Sequence, residues 1–306
     1  MIDITVIICT HNPRPDYLHI VLDALRKQTL PQQRWELLLV DNASDRSLAS
    51  KWDLSWHQFA RHIREAELGV AAARRRGIRE ASADLLIFVD DDNVLAQDYL
   101  SVALGIAKGY LTLGVWGSGA INPKFEDTPA ESLKSYLHYL SLRSIASHQL
   151  SNDFTSKEAM PWGAGMCLRK NIADAYCRVS ERSGIQIASR RDHTLLGGED
   201  VEMCIVGCKL GFCFGVFPQL KLTHIIPKHR VTEEYLLRLR EAHVITDVML
   251  AYKWQGRLPR RPLSLRTVLG LLKNILTRRG IHRKMYFAYW RGTMKGRRMI
   301  AGIKQS

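Results

Sequence analysis

From residue 251 onward the chain contains no aspartate or glutamate, although fifteen Lys and Arg residues fall there. Those cations exceed the whole formal net charge of +14, so the residues before them are close to neutral. The basic character therefore belongs to one segment and calls for a local partner. Nowhere do 18 uncharged apolar residues follow one another, which excludes an obvious membrane-spanning helix. The opening Met-Ile-Asp-Ile-Thr-Val lacks the basic stretch of a secretory signal. Six cysteines show no Cys-x-x-Cys spacing. Cys204 and Cys208, four apart on a predicted helix, are either a soft-metal site or buried free thiols. A cytosolic, reducing compartment is expected. Internal repeats and low-complexity tracts are also missing. What remains is 46% apolar and 24% charged residues over 306 positions, enough for one large α/β domain or two smaller ones.

Apolar runs rich in β-branched residues alternate with helical patterns. Residues 3–10 read as a buried strand stopped at Thr10-His11-Asn12-Pro13. Asp16 suits an N-cap, and Leu18, Val21, Leu22 and Leu25 follow at helical spacing to about Gln28. Trp35–Val40 is a second strand, 59–64 a third and Leu85–Val89 a fourth, with a helix from Gly69 to about Ser82. Helices are expected over 97–108 and near 131–146. A strand is expected over 113–121, a Gly-rich turn enters a strand at Met160–Arg169, and a helix opens at Gly197-Gly-Glu-Asp200. Short strands over 212–217 and 220–224 end in Leu222-Thr223-His224. Such alternation predicts a mostly parallel sheet with crossover helices, whose ligands lie along the C-terminal strand edge. Thr10, Asn12, Asp41 and Asp90–Asp92 all follow predicted strand ends.

Asp90-Asp91-Asp92 closes the apolar run Asp84-Leu-Leu-Ile-Phe-Val89. An acidic turn in water is one reading. The other is a hard oxygen site for Mg²⁺ or Mn²⁺, ions held by one or two carboxylates plus substrate phosphates. Glu199 and Asp200 are either plain helix N-terminal charge or, beside a metal–phosphate site, a general base for transfer onto a hydroxyl. His224 is either a packed residue or a further metal ligand.

Six segments in order, Val-Ile-Ile-Cys-Thr-His-Asn (6–12), Leu-Val-Asp-Asn-Ala-Ser-Asp (39–45), Leu-Gly-Val-Ala-Ala-Ala-Arg-Arg-Arg-Gly (68–77), Leu-Ile-Phe-Val-Asp-Asp-Asp (86–92), Trp-Gly-Ala-Gly-Met (162–166) and Gly-Glu-Asp (198–200), resemble the family 2 glycosyltransferases. The resemblance covers about residues 3–230. It implies the GT-A fold, an inverting reaction, a nucleotide-diphosphate sugar donor (UDP-linked) and a Mg²⁺ or Mn²⁺ ion. Thr10, Asn12 and Asp41 would line the nucleoside pocket, with Asp41 accepting from the base, and Arg74 and Asp91 would lie by the nucleotide. Asp90 would approach the ribose or donor sugar, and the metal would sit among Asp92, Asp90 and His224. Trp162, Gly163, Ala164 and Gly165 would wall the sugars. Asp200 would be the base, with Glu199 beside it. Two positions depart from the family's habit: Arg75 follows Arg74, and Glu67 precedes the Leu-Gly pair, where Asn is frequent.

These expectations divide the chain into a catalytic domain over 1–230, with nucleotide-sugar binding in 1–120 and acceptor binding in 121–230, and a basic helical region over 231–306. In the latter, Leu265, Val268, Leu269, Leu272, Ile275 and Leu276 form an apolar face flanked by Arg266, Lys273, Arg278 and Arg279. That pattern suits an interfacial helix on anionic lipid at the inner face of the cell membrane, or a helical layer packed on the catalytic domain. The expected acceptor is a glycan or lipid-linked sugar of cell-surface polysaccharide synthesis. Two rivals remain. A sugar-nucleotide nucleotidyltransferase would want a Gly-rich basic loop after the first strand, where Thr-His-Asn-Pro stands. A nucleic-acid-binding protein would leave the strand-end carboxylates without a use, so no nucleic-acid partner is expected.

Overall fold

The β-branched run of Ile4–Thr10 forms β1, the strand around which the sheet is built. β2 (Trp35–Asn42) and β4 (Leu85–Val89) pair with it on either side, both parallel, and β3 (Ala60–Glu65) adds to β2 in the same sense. This is a computed structural model, and it describes residues 2–183, 185, 194–258, 274 and 277–303. Every residue of β2 and β4 is buried, as strands covered on both faces must be. On one face Leu18, Val21 and Leu25 of α1 (Pro15–Arg26) join Val6, Ile8, Leu37, Leu39 and Ile87 in one apolar cluster. On the other, α2 (Val70–Glu80) packs against β1 and β2. Each fully buried Leu or Ile contributes about 1.5–3 kcal/mol.

Helix α1 starts two residues earlier than expected. Arg14 is its cap and Pro15 its first residue, where a missing N–H costs nothing. Asp16 lies inside the first turn and pairs with Arg14 at 2.6 Å.

Beyond β4 the sheet changes character. The remaining elements are β5 (Asn93–Leu95), α3 (Tyr99–Gly109), β6 (Leu113–Phe125), β7 (Arg143–Ser144), β8 (Gln149–Ser151), β9 (Cys167–Arg169), α4 (Lys170–Arg182), α5 (Glu199–Lys209) and β10 (Cys213–Ile226). The strand order is β3-β2-β1-β4-β9-β6-β10-β5, with β7 on β6 and β8 on β10. β9 runs antiparallel to β4 and β6, and β10 antiparallel to β5 and β8. The result is a mixed α/β sheet whose first half is wholly parallel.

Two expectations need correction here. The helix near 131–146 is a 3-10 helix over Glu131–Leu140 that stops where Ser141 turns left-handed, φ 57°. The chain then enters β7, where Arg143 faces Ile121 of β6. The strands expected at 212–217 and 220–224 are one continuous strand, β10. Pro218 lacks an N–H to donate, yet the strand runs through it.

The chain divides into two compact units. The first holds Met1–Lys124, Ser141–Ser183 and Glu199–Ile226 and carries the sheet; the second includes Phe125–Leu140 and the chain from Pro227. Residues 125–140 thus group with the later residues. In the second unit, Thr232 caps α6 (Glu233–Gln255) by accepting from the Tyr235 N–H at 3.3 Å, and left-handed Gly256 ends it. α7 (Gly280–Ile303) packs along α6, with Ile300 against Val244 and Val248. Glu241 of α6 receives Arg291 at 2.9 Å and also Lys295. The apolar face expected over 265–276, with Arg266 and Lys273, lies outside the described residues. Among those described, no helix is long and apolar enough to cross a membrane.

Candidate active site

The parallel register aligns the strand ends. Thr10 lies opposite Asp41, and Ile8 opposite Val89, so Thr10, Asp41 and Asp90–Asp92 meet at one edge of the sheet. Buried Thr10 donates its hydroxyl hydrogen bond to Asp91, which ties the middle carboxylate of the triplet to β1. Asn12, in a left-handed turn at φ 46°, donates its N–H to the Ser44 hydroxyl at 2.9 Å and accepts from the Asp45 N–H at 3.0 Å. Two loops from neighbouring strands are thereby locked together. Asp41 is buried, and both its oxygens already accept: from the Ser44 N–H at 3.0 Å, the Leu48 N–H at 3.1 Å and Arg64. These bonds give it a role inside the chain, organising the loop over 41–48. Those bonds hold its carboxyl below the usual range against the cost of burial.

Arg74, on α2, is buried beside three carboxylates. Its Nη2 lies 3.6 Å from Asp90. Burial opposes its charge, but Asp90, Glu199 and Asp200 outweigh that cost and hold the guanidinium protonated. Asp200, in the first turn of α5, accepts from the Val201 N–H at 2.9 Å and the Gly163 N–H at 3.2 Å. Burial, with Glu199 adding to it, raises its carboxyl above the ordinary 3.8, against the pull of Arg74 and the two N–H donors. A carboxylate raised in this way is better suited to take a proton than an ordinary one. Buried Glu36, by contrast, accepts from Thr5 and Ser82 away from this edge and sits below its usual value, as a structural acid does.

His224 reaches the triplet by strand pairing. It lies opposite Asn93 in the β10–β5 register, and the Ile225 N–H donates to the Asp92 carbonyl at 2.8 Å. That places His224 Nε2 3.4 Å from the Asp92 carboxylate, both side chains nearly buried. Asn93 donates to the other Asp92 oxygen at 2.9 Å. Among the described residues no three His, Cys, Asp or Glu side chains gather in a metal-holding group. Of the expected set of Asp92, Asp90 and His224, Asp92 and His224 stand together while Asp90 lies beside Arg74. A carboxylate oxygen and an imidazole still fit a divalent ion that leaves positions open for phosphate oxygens. Cys204 is buried and Cys208 partly buried, and neither forms a disulfide.

The segment 160–166 closes the edge. Gly165 is left-handed at φ 68°, and a Cβ there would stand 2.4 Å from the Tyr99 hydroxyl, which donates to the Gly165 carbonyl at 2.6 Å. A Cβ on Gly163 would meet Arg74 Nη2 at 2.5 Å. Ala164 is buried, and the half-buried Trp162 ring carries the Arg143 guanidinium 3.9 Å above it. Sequence reasoning missed Ser44, Arg64, Asn93 and Arg143. Ser44 and Asn93 lie within or beside quoted motifs and Arg64 in the expected strand over 59–64; Arg143 had no signal, since its place depends on pairing with β6.

Comparison with known proteins agrees with this architecture. Over 151 residues the chain is 26% identical to Glycosyltransferase AglE of Haloferax volcanii, an alignment covering 48% of this chain and 49% of that protein. The chain thus spans about half the length of the curated relative it matches. Among solved structures, the mannosyltransferase PcManGT from Pyrobaculum calidifontis, in complex with GDP-Man and Mn²⁺, aligns over 98% of this chain and 75% of its own at 16% identity, TM-score 0.58. S. aureus TarS 1-349 aligns over 99% of this chain and 92% of its own at 13% identity, TM-score 0.50. These likenesses are of fold, and the fold is GT-A. A family profile described as Glycosyl transferase family 2 matches residues 5–170, more than half of the chain, and the chain belongs to that family.

Proposed function

We propose that the chain is a metal-dependent, inverting glycosyltransferase. It moves a sugar from a nucleoside-diphosphate donor, UDP- or GDP-linked, to a hydroxyl of a glycan or lipid-linked acceptor of cell-surface polysaccharide synthesis. The observation that carries this reading is the meeting, at one sheet edge, of the Asp92–His224 pair with a carboxylate raised by burial, Asp200, whose charge Arg74 balances. Thr10, Asn12 and the loop organised by Asp41 would form the nucleoside side, with Asp91 held by Thr10. Asp90, half exposed beside Arg74, would face the ribose or donor sugar. Asp92 and His224 would hold the ion, which when bound neutralises charge gathering on the departing diphosphate. Asp200 would take the proton of the acceptor hydroxyl as it attacks the anomeric carbon from the face opposite the leaving group. Glu199, next to it, would orient that hydroxyl, and Trp162 would offer its face to a sugar ring.

The basic residues over 251–306 are read as a peripheral contact with an anionic membrane on its inner face, where a lipid-linked acceptor would be met. The test is a screen of nucleotide sugars with Mn²⁺ and Mg²⁺, scored by thermal stabilisation and slow hydrolysis. A donor identified that way should keep its affinity in Asp200→Asn while turnover drops by roughly 10²–10⁴-fold. Near-normal transfer by that variant would remove Asp200 from the role of base.

A further inference from the structure

Tyr99 opens α3, and its hydroxyl is sealed in the core, where Phe would fill the same space. The phenol donates to the Gly165 carbonyl at 2.6 Å and lies 2.7 Å from the Ser118 hydroxyl of β6. It has one proton to give, so Ser118 is the donor of that second bond. Burial holds the phenol well above its ordinary 10, and the proton stays in place. Gly165 is the third residue of a turn over 163–166, closed by the Met166 N–H on the Gly163 carbonyl at 3.3 Å. A type II turn needs positive φ at that place, and Gly165 supplies it. The turn's exit is fastened to β4, where the Phe88 N–H donates to the Met166 carbonyl at 2.9 Å. Its entry is the Gly163 N–H that Asp200 accepts, and Arg74 rests against the same glycine. Among the described residues the Gly165 carbonyl otherwise meets only the Cys167 thiol, at 3.7 Å. A thiol is a weak donor, so Tyr99 carries the constraint.

We propose that Tyr99 is a positioning residue for Asp200. Through the Gly165 carbonyl it fixes the turn, and so the Gly163 N–H that aims the carboxylate at the acceptor hydroxyl. Because the chain runs from Asp92 through β5 into α3, the same hydroxyl ties the base to the ion-binding side of the sheet edge. The inference rests on the reading of Asp200 as the base. Also bearing on Asp200 are the Val201 N–H, Arg74 of α2, and Glu199 and Cys204 of α5, none of which Tyr99→Phe replaces.

The test follows the Gly163 amide signal against pH in NMR spectra of the full chain without ligand. The signal is recognised by its failure to titrate in Asp200→Asn, and its midpoint reports the Asp200 carboxylate. In Tyr99→Phe that midpoint should rise by about one pH unit, the weight of a loosened charged hydrogen bond. With the donor found in the nucleotide-sugar screen, kcat should drop about tenfold while KM for the donor holds, and the acid limb should move up in step. Ser118→Ala removes the donor to Tyr99 and leaves the phenol. It should shift the midpoint the same way by less, and it gives the same readout should Tyr99→Phe fold poorly. An unmoved midpoint in both variants would overturn the proposal. So would a lower melting temperature and a lower kcat with the limb in place, the mark of a purely structural tyrosine. A midpoint that moves while no limb of the pH profile follows it would instead remove Asp200 as the base and leave the hydrogen-bond relay standing.

Discussion

Arg74 and Asp200 set each other's charge. Burial raises the Asp200 carboxyl above 3.8, and Arg74 is the strongest opposing influence. A base works only when deprotonated, so activity should fall as pH drops through this raised value, above the range of an ordinary exposed aspartate. Removing Arg74 takes away a cation that favours the carboxylate. Arg74→Gln should therefore move the acid limb of kcat/KM to still higher pH, whereas a purely structural Arg74 would lower the plateau and leave the limb in place. The pH dependence of kcat/KM for the two proteins checks this. Glu36 shows why the distinction matters: it is a buried carboxylate too, but Thr5 and Ser82 satisfy it.

Secondary-structure elements act here mainly through register. β10 and β5 set His224 against Asn93 and so bring an imidazole to Asp92, about 130 residues away in sequence. Asp92→Asn and His224→Gln should each weaken nucleotide-diphosphate binding in Mn²⁺, and neither should change the weaker binding left in EDTA. Calorimetric titration in both buffers reads the difference, and an equal loss in EDTA would argue against a shared ion. The turn at Gly165 makes a separate prediction. An added Cβ must sit at positive φ and against the Tyr99 hydroxyl, so Gly165→Ala should cost about 1–3 kcal/mol, seen as a lowered denaturation midpoint. At this scale the sequence was legible where signals are local. The strands β1, β2 and β4 announced themselves by apolar runs, and Thr10, Asp41 and the triplet by the turns that end them. The two- and three-residue strands β7, β8 and β5 have no periodicity to read and exist because a partner strand holds them. Arg143 was hidden for that reason, and the helix expected across it was wrong.

Across the whole molecule, charge and fold are distributed differently. The cations after residue 250 outnumber those needed inside the second unit. Glu241 takes Arg291 and Lys295, and Glu233 takes Lys284, while Arg283 and Arg298 stand exposed on α7 with Tyr289 and Met299. Co-sedimentation should show binding to phosphatidylglycerol vesicles that weakens with salt, and little binding to phosphatidylcholine. Each cation near such a surface contributes on the order of 1 kcal/mol, so Arg283→Gln with Arg298→Gln should lower the partition severalfold. Retention of full binding by the double variant would move the contact elsewhere. The basic tail was plain in the composition. That 125–140 joins the later helices was not, because the grouping depends on contacts between segments distant in sequence.

The place of β10 in the sheet has a consequence in time. It is the last strand among the described residues, yet it lies inside the strand order, between β6 and β5, and β8 also pairs with it. Until residues 213–226 leave the ribosome, β5 and β8 lack the neighbour that orders them, and a growing chain offers open strand edges to other proteins. The stretch matched by the family profile is by then long complete, but Asp200 has only just emerged and His224 has not. A translational pause before Cys213 would hold a nearly finished sheet with its strand edges open, and the Asp92–His224 pair would close only with β10.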